Sequence, residues 1–233
     1  MTEPINWRRV QQRLGVTADG IAGPLTWAAL LRWMGCGSLA PLLGEACAVH
    51  VPAHGIADNK RRLTHWLGQN AHESGGFNRL EESLNYSTAA RIQQVWPSRF
   101  PTLASAQQFV RNPQGLAERV YGDRMGNQTG VGFGWRYRGR GIKMITGLDN
   151  YRWMAEATGI DIVADPDLAA TPNGAVHLSC AYWAEAGCHA LADDDAIARL
   201  SNLINRGRAV STPPAIGFQD RVQRTERARE LFV

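Results

Sequence analysis

The feature that most constrains the fold is a pair of adjacent glycines, Gly75 and Gly76, after a segment with helical hydrophobic spacing. Apolar side chains such as Leu63 and Leu67 predict a helix that continues to Glu73. Two glycines end a helix because glycine readily adopts backbone conformations that the helix cannot continue. We therefore expect the chain to reverse direction just after a glutamate.

Two further glutamates, Glu81 and Glu82, follow this turn. Cleavage of a glycosidic bond by water uses one protonated carboxyl group, which donates to the leaving oxygen, and one ionised carboxylate, which activates water. Partial burial is expected to raise the pKa of Glu73 and so favour the acid role. An inverting hydrolase holds the two groups roughly 6.5–9.5 Å apart, which a chain reversal permits. Either later glutamate can be the partner, and Glu81 is the expected surface charge.

Strand patterns are scarce and helical spacing recurs, so the predicted fold class is mainly α with at most a short β-hairpin. Residues 84–87 are predicted to be a short strand or an extended turn. Further helices are predicted over residues 89–96, 107–121, 149–158, 172–187, 193–204 and 219–232. Residues 122–141 are rich in Gly and Arg without periodicity, which is typical of a long functional loop.

The N-terminal segment is predicted to be a small helical module. Helical spacing over residues 7–14 and 25–34 flanks a turn-rich loop, and Gly35 ends the second helix. We assign residues 1–36 to this module, 37–44 to a linker and 45–233 to a main catalytic domain. Because a core of fewer than about 40 residues is marginal, the module is expected to pack on its neighbour.

The loop of this module resembles the peptidoglycan-binding module found at the ends of many cell-wall hydrolases. The resemblance implies a wall-binding role for the loop and the start of the second helix, and the alternative is a helical hairpin that only extends the main domain. The matching positions are Asp19, Gly20, Gly23, Pro24, Thr26 and Trp27.

Charge and cysteine usage exclude some classes of protein. A net charge of +4, spread over scattered arginines, is too weak for a nucleic-acid binder. It fits either attraction to an anionic wall polymer or an ordinary mixed surface. No Cys–His spacing matches a zinc site, so no metal or cofactor is predicted. The cysteines are interpreted as small buried apolar residues, with a disulfide between Cys180 and Cys188 left open.

The sequence also carries expectations about location. No apolar stretch reaches the roughly 18 residues that span a bilayer. Residues 1–4 lack the basic and then apolar pattern of an export signal. We expect a monomer that is made in the cytoplasm, without stable membrane insertion, and that reaches an outside substrate only by another route.

Several separate motifs, in the right order, resemble glycoside hydrolase family 19, and especially its phage endolysin and lysozyme branch. The resemblance covers roughly residues 45–233 and implies a lysozyme- or chitinase-like helical catalytic domain. The matching segments are residues 72–77, 80–87, 121–127, 135–141, 146–151, 204–205 and 220–221.

This resemblance implies roles for individual residues. Glu73 matches the catalytic acid, Glu82 matches the general base, and Thr146 matches a position near the nucleophilic water. Other residues match positions that line or brace the sugar cleft, which are Asn85, Tyr86, Arg140 and Asn205.

Three positions leave the preferred sugar and local roles open. Met144 stands where the family usually has a sugar-binding glutamine, so subsite contacts differ. Arg206 replaces a usual glycine; it either favours an anionic, muramic-acid-containing strand over chitin or is a solvated charge. His72 either tunes the neighbouring glutamate or is a hydrogen-bonded structural group.

The resemblance leads to a specific functional hypothesis. The protein is expected to be a bacteriolytic endolysin that hydrolyses β-1,4 bonds of peptidoglycan glycan strands by inversion and leaves the cell through a holin-like pore. The enzymatic alternatives are a chitinase and a lytic transglycosylase, which needs only Glu73. The non-enzymatic alternative is a wall-binding virion structural protein.

Overall fold

A computed structural model describes residues 4–233, and the fold in that part of the chain is mainly α-helical, as predicted. Residues 1–3 lie outside the described residues. They belong to the segment of residues 1–4 that lacks the pattern of an export signal. The chain divides into two compact units. Unit 1 contains the residues up to Leu80, Gly141–Lys143 and Ala170–Val233, and unit 2 contains Glu81–Arg140 and Met144–Ala169.

The secondary structure consists of short and medium helices. In chain order they are α1 (Trp7–Leu14), α2 (Pro24–Trp33), α3 (Ala40–Ala53), α4 (Lys60–Glu73), α5 (Ala89–Val95), α6 (Leu103–Gln107), α7 (Pro113–Tyr121), α8 (Phe133–Arg136), α9 (Leu148–Thr158), α10 (Pro172–Glu185), α11 (Cys188–Asp193), α12 (Ile197–Arg206) and α13 (Phe218–Arg229). Single 3-10 turns cover Ile56–Asp58, Pro166–Ala170 and Glu230–Phe232. Within residues 4–233, β-structure is limited to isolated bridges that pair Arg140 with Glu81 and with Ile145.

The core of unit 1 includes the N-terminal helices. Trp27, Leu30 and Leu31 of α2 lie in the same buried cluster as Trp66 of α4 and Trp183 of α10. The N-terminal segment therefore shares a core with the helices that follow it, and the boundary at residue 36 remains a prediction.

Part of the predicted linker is helical and buried. Residues 40–44 belong to α3, and Leu43 is fully buried there. Gly44 lies against α2 so closely that a Cβ atom would come within 2.7 Å of the backbone of Ala28. Residues 40–44 therefore form a packing surface, so the predicted linker over residues 37–44 is wrong for this part.

Helices α4 and α13 approach each other closely where α4 has a glycine. A Cβ atom on Gly68 would lie 2.7 Å from the Cα atom of Thr225, well inside van der Waals contact. The close approach places Arg221 of α13 beside the C-terminal end of α4, where Glu73 lies.

Unit 2 has its own smaller core, built on residues such as Leu84, Phe100 and Val120. The helix predicted over residues 107–121 is shorter in the structure, because α6 ends at Gln107 and α7 covers only Pro113–Tyr121. Pro113 explains why α7 begins there, because proline disfavours helical conformation in the residue before it. The side chain of that residue, Asn112, accepts a hydrogen bond from Gly115 N and caps α7.

The remaining expectations concern the cysteines, membrane-spanning helices and metal ligands of the described residues. The four cysteines are buried and unpaired. No helix in residues 4–233 combines the length and apolar character needed to cross a membrane. Across the same residues, no cluster of at least three His, Cys, Asp or Glu side chains has the arrangement of metal ligands.

Gly68→Ala is expected to destabilise the protein by about 1–3 kcal/mol, the usual cost of forcing an extra methyl group into a packed contact. The added Cβ has to push α13 away from α4. Urea unfolding measures the effect, and Gly23→Ala is the control, because Gly23 has a φ of −79° and no atom lies within 4 Å of a Cβ placed there. Equal midpoints for Gly68→Ala and Gly23→Ala would contradict the packing argument.

Stability is also expected to fall with acid at a cluster of histidines. The rings of His50 and His177 stack at 4.2 Å, and the ring of His54 lies 5.5 Å from that of His177. Burial, followed by the two neighbouring imidazoles, lowers the pKa of His177 to about 4 from an ordinary 6.5. The unfolded chain therefore binds this proton more readily, so stability decreases as the pH falls from about 6.5 to about 4.

His177→Phe keeps an aromatic ring in the stack but removes the titrating group. Between pH 7 and pH 4, the free energy of unfolding of the variant is expected to fall by about 1–2 kcal/mol less than that of wild type. This figure includes a discount for solvent screening of a half-buried ring. Chemical denaturation at both pH values measures the difference. Parallel losses in the two proteins would show that the pKa of His177 is the same in the folded and unfolded states.

Candidate active site

Glu73 is the last residue of α4, and the predicted glycine turn follows it. Gly75, Gly76 and Phe77 have φ angles of 61°, 75° and 64°, which turn the chain away from the helix axis. Glycine adopts this left-handed region without steric cost, which is why the two glycines end the helix here.

A buried hydrogen-bond chain holds the Glu73 carboxylate. Arg221 Nη2 donates to Glu73 Oε1 at 2.6 Å, and Arg221 Nη1 donates to Gln69 Oε1 at 2.8 Å. Gln69 Nε2 in turn donates to Ser201 Oγ at 3.0 Å. The Arg221 side chain is only 1% exposed and that of Glu73 is 18% exposed, so the ion pair is shielded from water.

The charge environment of Glu73 differs from the sequence-based expectation. Burial alone raises the pKa of Glu73, but the positive charges of Lys143 and Arg221, the Arg221 hydrogen bond and His72 together outweigh it. The pKa of Glu73 therefore lies below its usual value, and the expectation that burial raises it is wrong for the free protein. Glu73 is ionised at neutral pH in this state.

His72 is held away from this carboxylate by a second acid. Its Nδ1 atom lies 2.6 Å from Asp220 Oδ2, which also accepts from Arg224 Nε at 2.7 Å. Its ring packs on Gly217, where a Cβ atom would overlap it. His72 therefore has a hydrogen-bonded structural role and adds only a minor positive contribution at Glu73.

Glu82, in unit 2, is held by two donors. Gly139 N donates to Glu82 Oε1 at 2.6 Å, and the Tyr121 hydroxyl donates to Oε2 at 3.0 Å. Glu82 N also donates to Gly139 O at 2.9 Å, which fixes the main chain. Burial raises the pKa of Glu82 and outweighs these hydrogen bonds and the nearby Arg138 and Arg140. The two carboxylates are thus shifted in opposite directions.

Thr146 lies beside Glu82. A Cβ atom on Gly139 would be 3.2 Å from both the Glu82 carboxylate and the Thr146 hydroxyl, so glycine lets both groups flank it. Thr146 Oγ1 donates to Met144 O at 3.0 Å. Met144 itself has a φ of 54°, a conformation that costs a residue with a side chain about 1 kcal/mol or more.

Glu81 has a structural partner. Arg138 Nε donates to Glu81 Oε1 at 2.6 Å, and the guanidinium of Arg138 lies 3.9 Å from the Trp135 ring centroid. The Glu81 side chain is 40% exposed. Glu81 is thus the accessible partner of an ion pair whose Arg138 side chain is only 10% exposed, which distinguishes it from Glu82.

The remaining unit 2 candidates differ in accessibility. Asn85 is exposed, and the half-buried Tyr86 ring makes an edge contact with Trp96 at 5.4 Å. Arg140 is buried: its guanidinium donates to Tyr151 Oη at 3.1 Å and to Asp167 Oδ1 at 2.8 Å. Arg140 therefore braces the loop and does not present its charge to a ligand.

The unit 1 candidates at the end of α12 organise the following loop. Asn205 Oδ1 accepts from Ile216 N, and Arg206 Nη2 donates to Pro214 O, both at 3.0 Å. Asn205 is half-buried and Arg206 is exposed. Both residues thus pin the loop after α12, and Arg206 is open to solvent.

The N-terminal loop is built around a buried glutamine that sequence reasoning missed. Gln11 Nε2 donates to Asp19 Oδ1 at 2.7 Å, to Ile21 O at 2.9 Å and to Thr26 Oγ1 at 3.0 Å. Gly20 N donates back to Gln11 Oε1 at 2.8 Å. One side chain therefore ties together the loop and the start of α2 through four hydrogen bonds.

Two residues predicted to bind a ligand in this loop are buried. Thr26 is 4% exposed, and Trp27 is 1% exposed with its ring against that of Trp7. Because neither side chain offers a surface to a polymer, both support the loop from the protein interior. The exposed apolar side chains are instead Ile21 and Leu25, at 70% and 81%.

The other functional residues that the sequence did not assign are Arg221, Tyr121 and Lys143. Arg221 and Tyr121 lie in recognised motifs. However, the contact of the Arg221 guanidinium with Glu73 and that of the Tyr121 hydroxyl with Glu82 depend on helix packing. Lys143 carries its own signal, since it is the one charge in the apolar run of residues 142–145.

Comparisons with known proteins agree with the motifs. No family model matches the sequence. A glycosyl hydrolase family 19 domain-containing protein of Haemophilus influenzae is 37% identical over 150 residues, which are 64% of this chain and 72% of that protein.

Solved structures support the fold. The structure of a chitinase C mutant has a TM-score of 0.57 at 14% identity and covers 88% of this chain and 91% of its own. Chitinase C from Streptomyces griseus has a TM-score of 0.50 at 16% identity and covers 98% of this chain and 92% of its own. These identities establish a shared fold alone, whereas the Haemophilus influenzae relative is close enough to show the family. The chain belongs to glycosyl hydrolase family 19.

Proposed function

We propose that the protein is a bacteriolytic hydrolase that cleaves β-1,4 bonds between N-acetylmuramic acid and N-acetylglucosamine in peptidoglycan, with inversion. The observation that carries the proposal is that each unit fixes one glutamate through dedicated donors. Arg221 binds Glu73, while Gly139 and Tyr121 bind Glu82. Two carboxyl groups in different environments are what this chemistry needs.

In the proposed mechanism, Glu73 donates a proton to the leaving oxygen, Glu82 removes one from water, and Thr146 helps to orient that water. Because the pKa of Glu73 is lowered in the free protein, Glu73 has to take up a proton before it acts. Activity is therefore expected to decline on the alkaline side. The opposite directions of the two pKa shifts favour a second assignment, in which the roles of the two glutamates are exchanged.

Peptidoglycan is the proposed substrate because the surface features favour an anionic glycan. The net charge is +4, and Arg206 is exposed at the end of α12. Met144, in place of a sugar-binding glutamine, also argues for altered subsite contacts. The fold likeness to chitinase C supports the second candidate function, hydrolysis of N-acetylglucosamine polymers.

The biological setting follows from the resemblance to phage endolysins. The protein would accumulate in the host cytoplasm as a monomer, pass through a holin-like pore and act on the wall in the periplasm. The N-terminal segment, residues 1–36, would hold the protein on the wall and raise the local concentration of the catalytic groups.

Glu73→Gln and Glu82→Gln are each expected to lower kcat on purified peptidoglycan by about 10²–10⁴-fold, the usual contribution of a general acid or base. Glu81→Gln is the matched control and should stay within about threefold of wild type, because the glutamine amide oxygen can still accept the hydrogen bond from Arg138. Mass spectrometry of the digest should show reducing muramic acid ends. 1,6-Anhydro ends would identify a transglycosylase, and faster cleavage of chitin oligomers would identify a chitinase.

The same variants separate the two role assignments. An aryl glycoside with an acidic leaving group needs no proton donor, so Glu73→Gln should retain activity on it while Glu82→Gln should not. Azide should restore activity to Glu82→Gln by replacing the activated water. The reverse pattern would show that Glu82 is the acid, and full activity of both variants on peptidoglycan would refute the proposed function.

Wall binding is tested best by point variants, because α1 and α2 share the core of unit 1 and a truncation would expose it. Ile21→Ser with Leu25→Ser should weaken sedimentation with purified cell walls and leave cleavage of soluble oligomers unchanged. Val49→Ser is the control, since Val49 is 61% exposed on α3, outside the loop. Sedimentation of the double variant at the level of wild type would exclude this surface.

A further inference from the structure

Asn127 of unit 2 is a buried amide that joins two helices of the candidate site. It is 7% exposed, at the end of the recognised segment of residues 121–127. Its Nδ2 atom donates to Tyr121 O at 3.0 Å, and its Oδ1 atom accepts from Leu148 N at 3.0 Å. Tyr121 is the last residue of α7 and Leu148 is the first residue of α9. One side chain therefore ties the end of α7 to the start of α9.

The chain on the N-terminal side of this amide packs closely on the start of α9. Asp149 N donates to Met125 O at 2.9 Å. A Cβ atom on Gly126 would overlap the Asp149 carboxylate, and one on Gly147 would overlap the Met125 side chain. The two segments can approach this closely only because both positions are glycine, so their relative placement is fixed.

The two helix ends carry groups on either side of Glu82. The Tyr121 hydroxyl donates to Glu82 Oε2 at 3.0 Å, and Gly139 N donates to Oε1 at 2.6 Å. A Cβ atom on Gly139 would lie 3.2 Å from both Glu82 Oε1 and Thr146 Oγ1, so these two oxygens flank the same point. Thr146 in turn lies two residues before Leu148 in the chain. The phenol therefore holds Oε2, while Oε1 is the oxygen on the side of Thr146.

We propose that Tyr121, held in place by Asn127, is a positioning residue that fixes the rotation of the Glu82 carboxyl, so that Oε1 beside Thr146 is the oxygen that takes the proton from water. The inference rests on the proposed role of Glu82 as general base. The last torsion of a glutamate side chain is broad, so a carboxyl held at one oxygen samples many orientations. A donor at each oxygen removes this freedom before the substrate arrives.

The same hydroxyl affects the ionisation of Glu82. A donor to a carboxylate favours the ionised form, so the Tyr121 hydroxyl opposes the effect of burial, which raises the pKa of Glu82. Loss of the hydroxyl should therefore raise this pKa further. The other charged or titratable groups that act on or sense Glu82 are Arg138, Arg140, Tyr86 and Tyr151.

Tyr121→Phe removes the hydroxyl and keeps the ring. On a soluble glycan oligomer it should lower kcat about tenfold, the scale of one hydrogen bond to a charged group, with KM within about twofold of wild type. The acid limb of kcat/KM against pH should move upward by about half to one pH unit, because more of Glu82 is protonated at a given pH.

Tyr137→Phe is the matched control. Tyr137 is a buried tyrosine of the same unit, and its hydroxyl donates to Val163 O at 3.2 Å. The substitution should leave kcat within about twofold of wild type and both pH limbs within a few tenths of a unit. Equal losses of kcat in Tyr121→Phe and Tyr137→Phe, with unmoved limbs in both, would show a structural role and overturn the proposal.

A double-mutant cycle tests the part assigned to Asn127. If Asn127 acts by holding Tyr121, the variant with both Asn127→Ala and Tyr121→Phe should lose less kcat than the product of the two single losses. Single losses that simply multiply would refute the link between the two residues. Tyr121→Phe alone still tests the position of Glu82 if Asn127→Ala does not fold.

A readout without turnover separates the positioning role from the catalytic one. Carbon-13 NMR of side-chain carboxyls, with Glu82→Gln identifying the resonance, follows the titration of Glu82 in the whole protein. Tyr121→Phe should raise its midpoint, and an unchanged midpoint refutes the positioning contact even if the enzyme is active. A raised midpoint with full activity of Glu82→Gln, or with a shift of the alkaline limb in place of the acid limb, would refute only the role of Glu82 as base.

Discussion

The close approach of α4 and α13 is the contact on which the arrangement around Glu73 depends. With no side chain at Gly68, the backbone of Thr225 can lie against α4. Arg221, one turn before Thr225 in α13, then lies within hydrogen-bond distance of both Gln69 and Glu73. A buried charge is tolerated only when its donors and acceptors are satisfied, so steric fit between two helices decides whether this ion pair can exist.

The two glutamates illustrate how similar groups acquire different chemistry. The Glu73 carboxylate is held by cations, whereas the Glu82 carboxylate is held by a main-chain amide and the Tyr121 hydroxyl. Neutral donors stabilise a carboxylate less than cations do, so burial remains dominant for Glu82 and raises its pKa. The identity of the donors, more than the degree of burial, sets the direction of each shift.

Sequence reasoning succeeded where a signal is local and failed where it depends on packing. The helix ending at Glu73, the glycine turn and the mainly α class follow from spacing and backbone preference. The start of α7 at Pro113 was missed although its cause is local. The burial of Trp27 was not predictable, because it depends on packing against Trp7 and the rest of the core. The resemblance left open whether Arg140 lines or braces the site, and its contacts with Tyr151 and Asp167 favour the bracing role.

The pKa of Glu73 shows the same limit in electrostatic form. A sequence indicates that a helix end is partly buried, but the sign of the shift comes from cations that lie about 70 and 150 positions further along the chain. Each cation belongs to a different element, and neither has a fixed spacing from Glu73. Such a shift is a property of the assembled fold.

The course of the chain explains why the recognised motifs are continuous while their chemistry is divided. The chain passes between the two units after residues 80, 140, 143 and 169, and the first three of these crossings lie within or beside the family motifs. Residues 72–87 therefore supply Glu73 to unit 1 and Glu82 to unit 2. The loop that follows Arg140 supplies Lys143 to unit 1 and Thr146 to unit 2. A substitution in either motif can thus alter the surroundings of one carboxylate and leave the donors of the other in place.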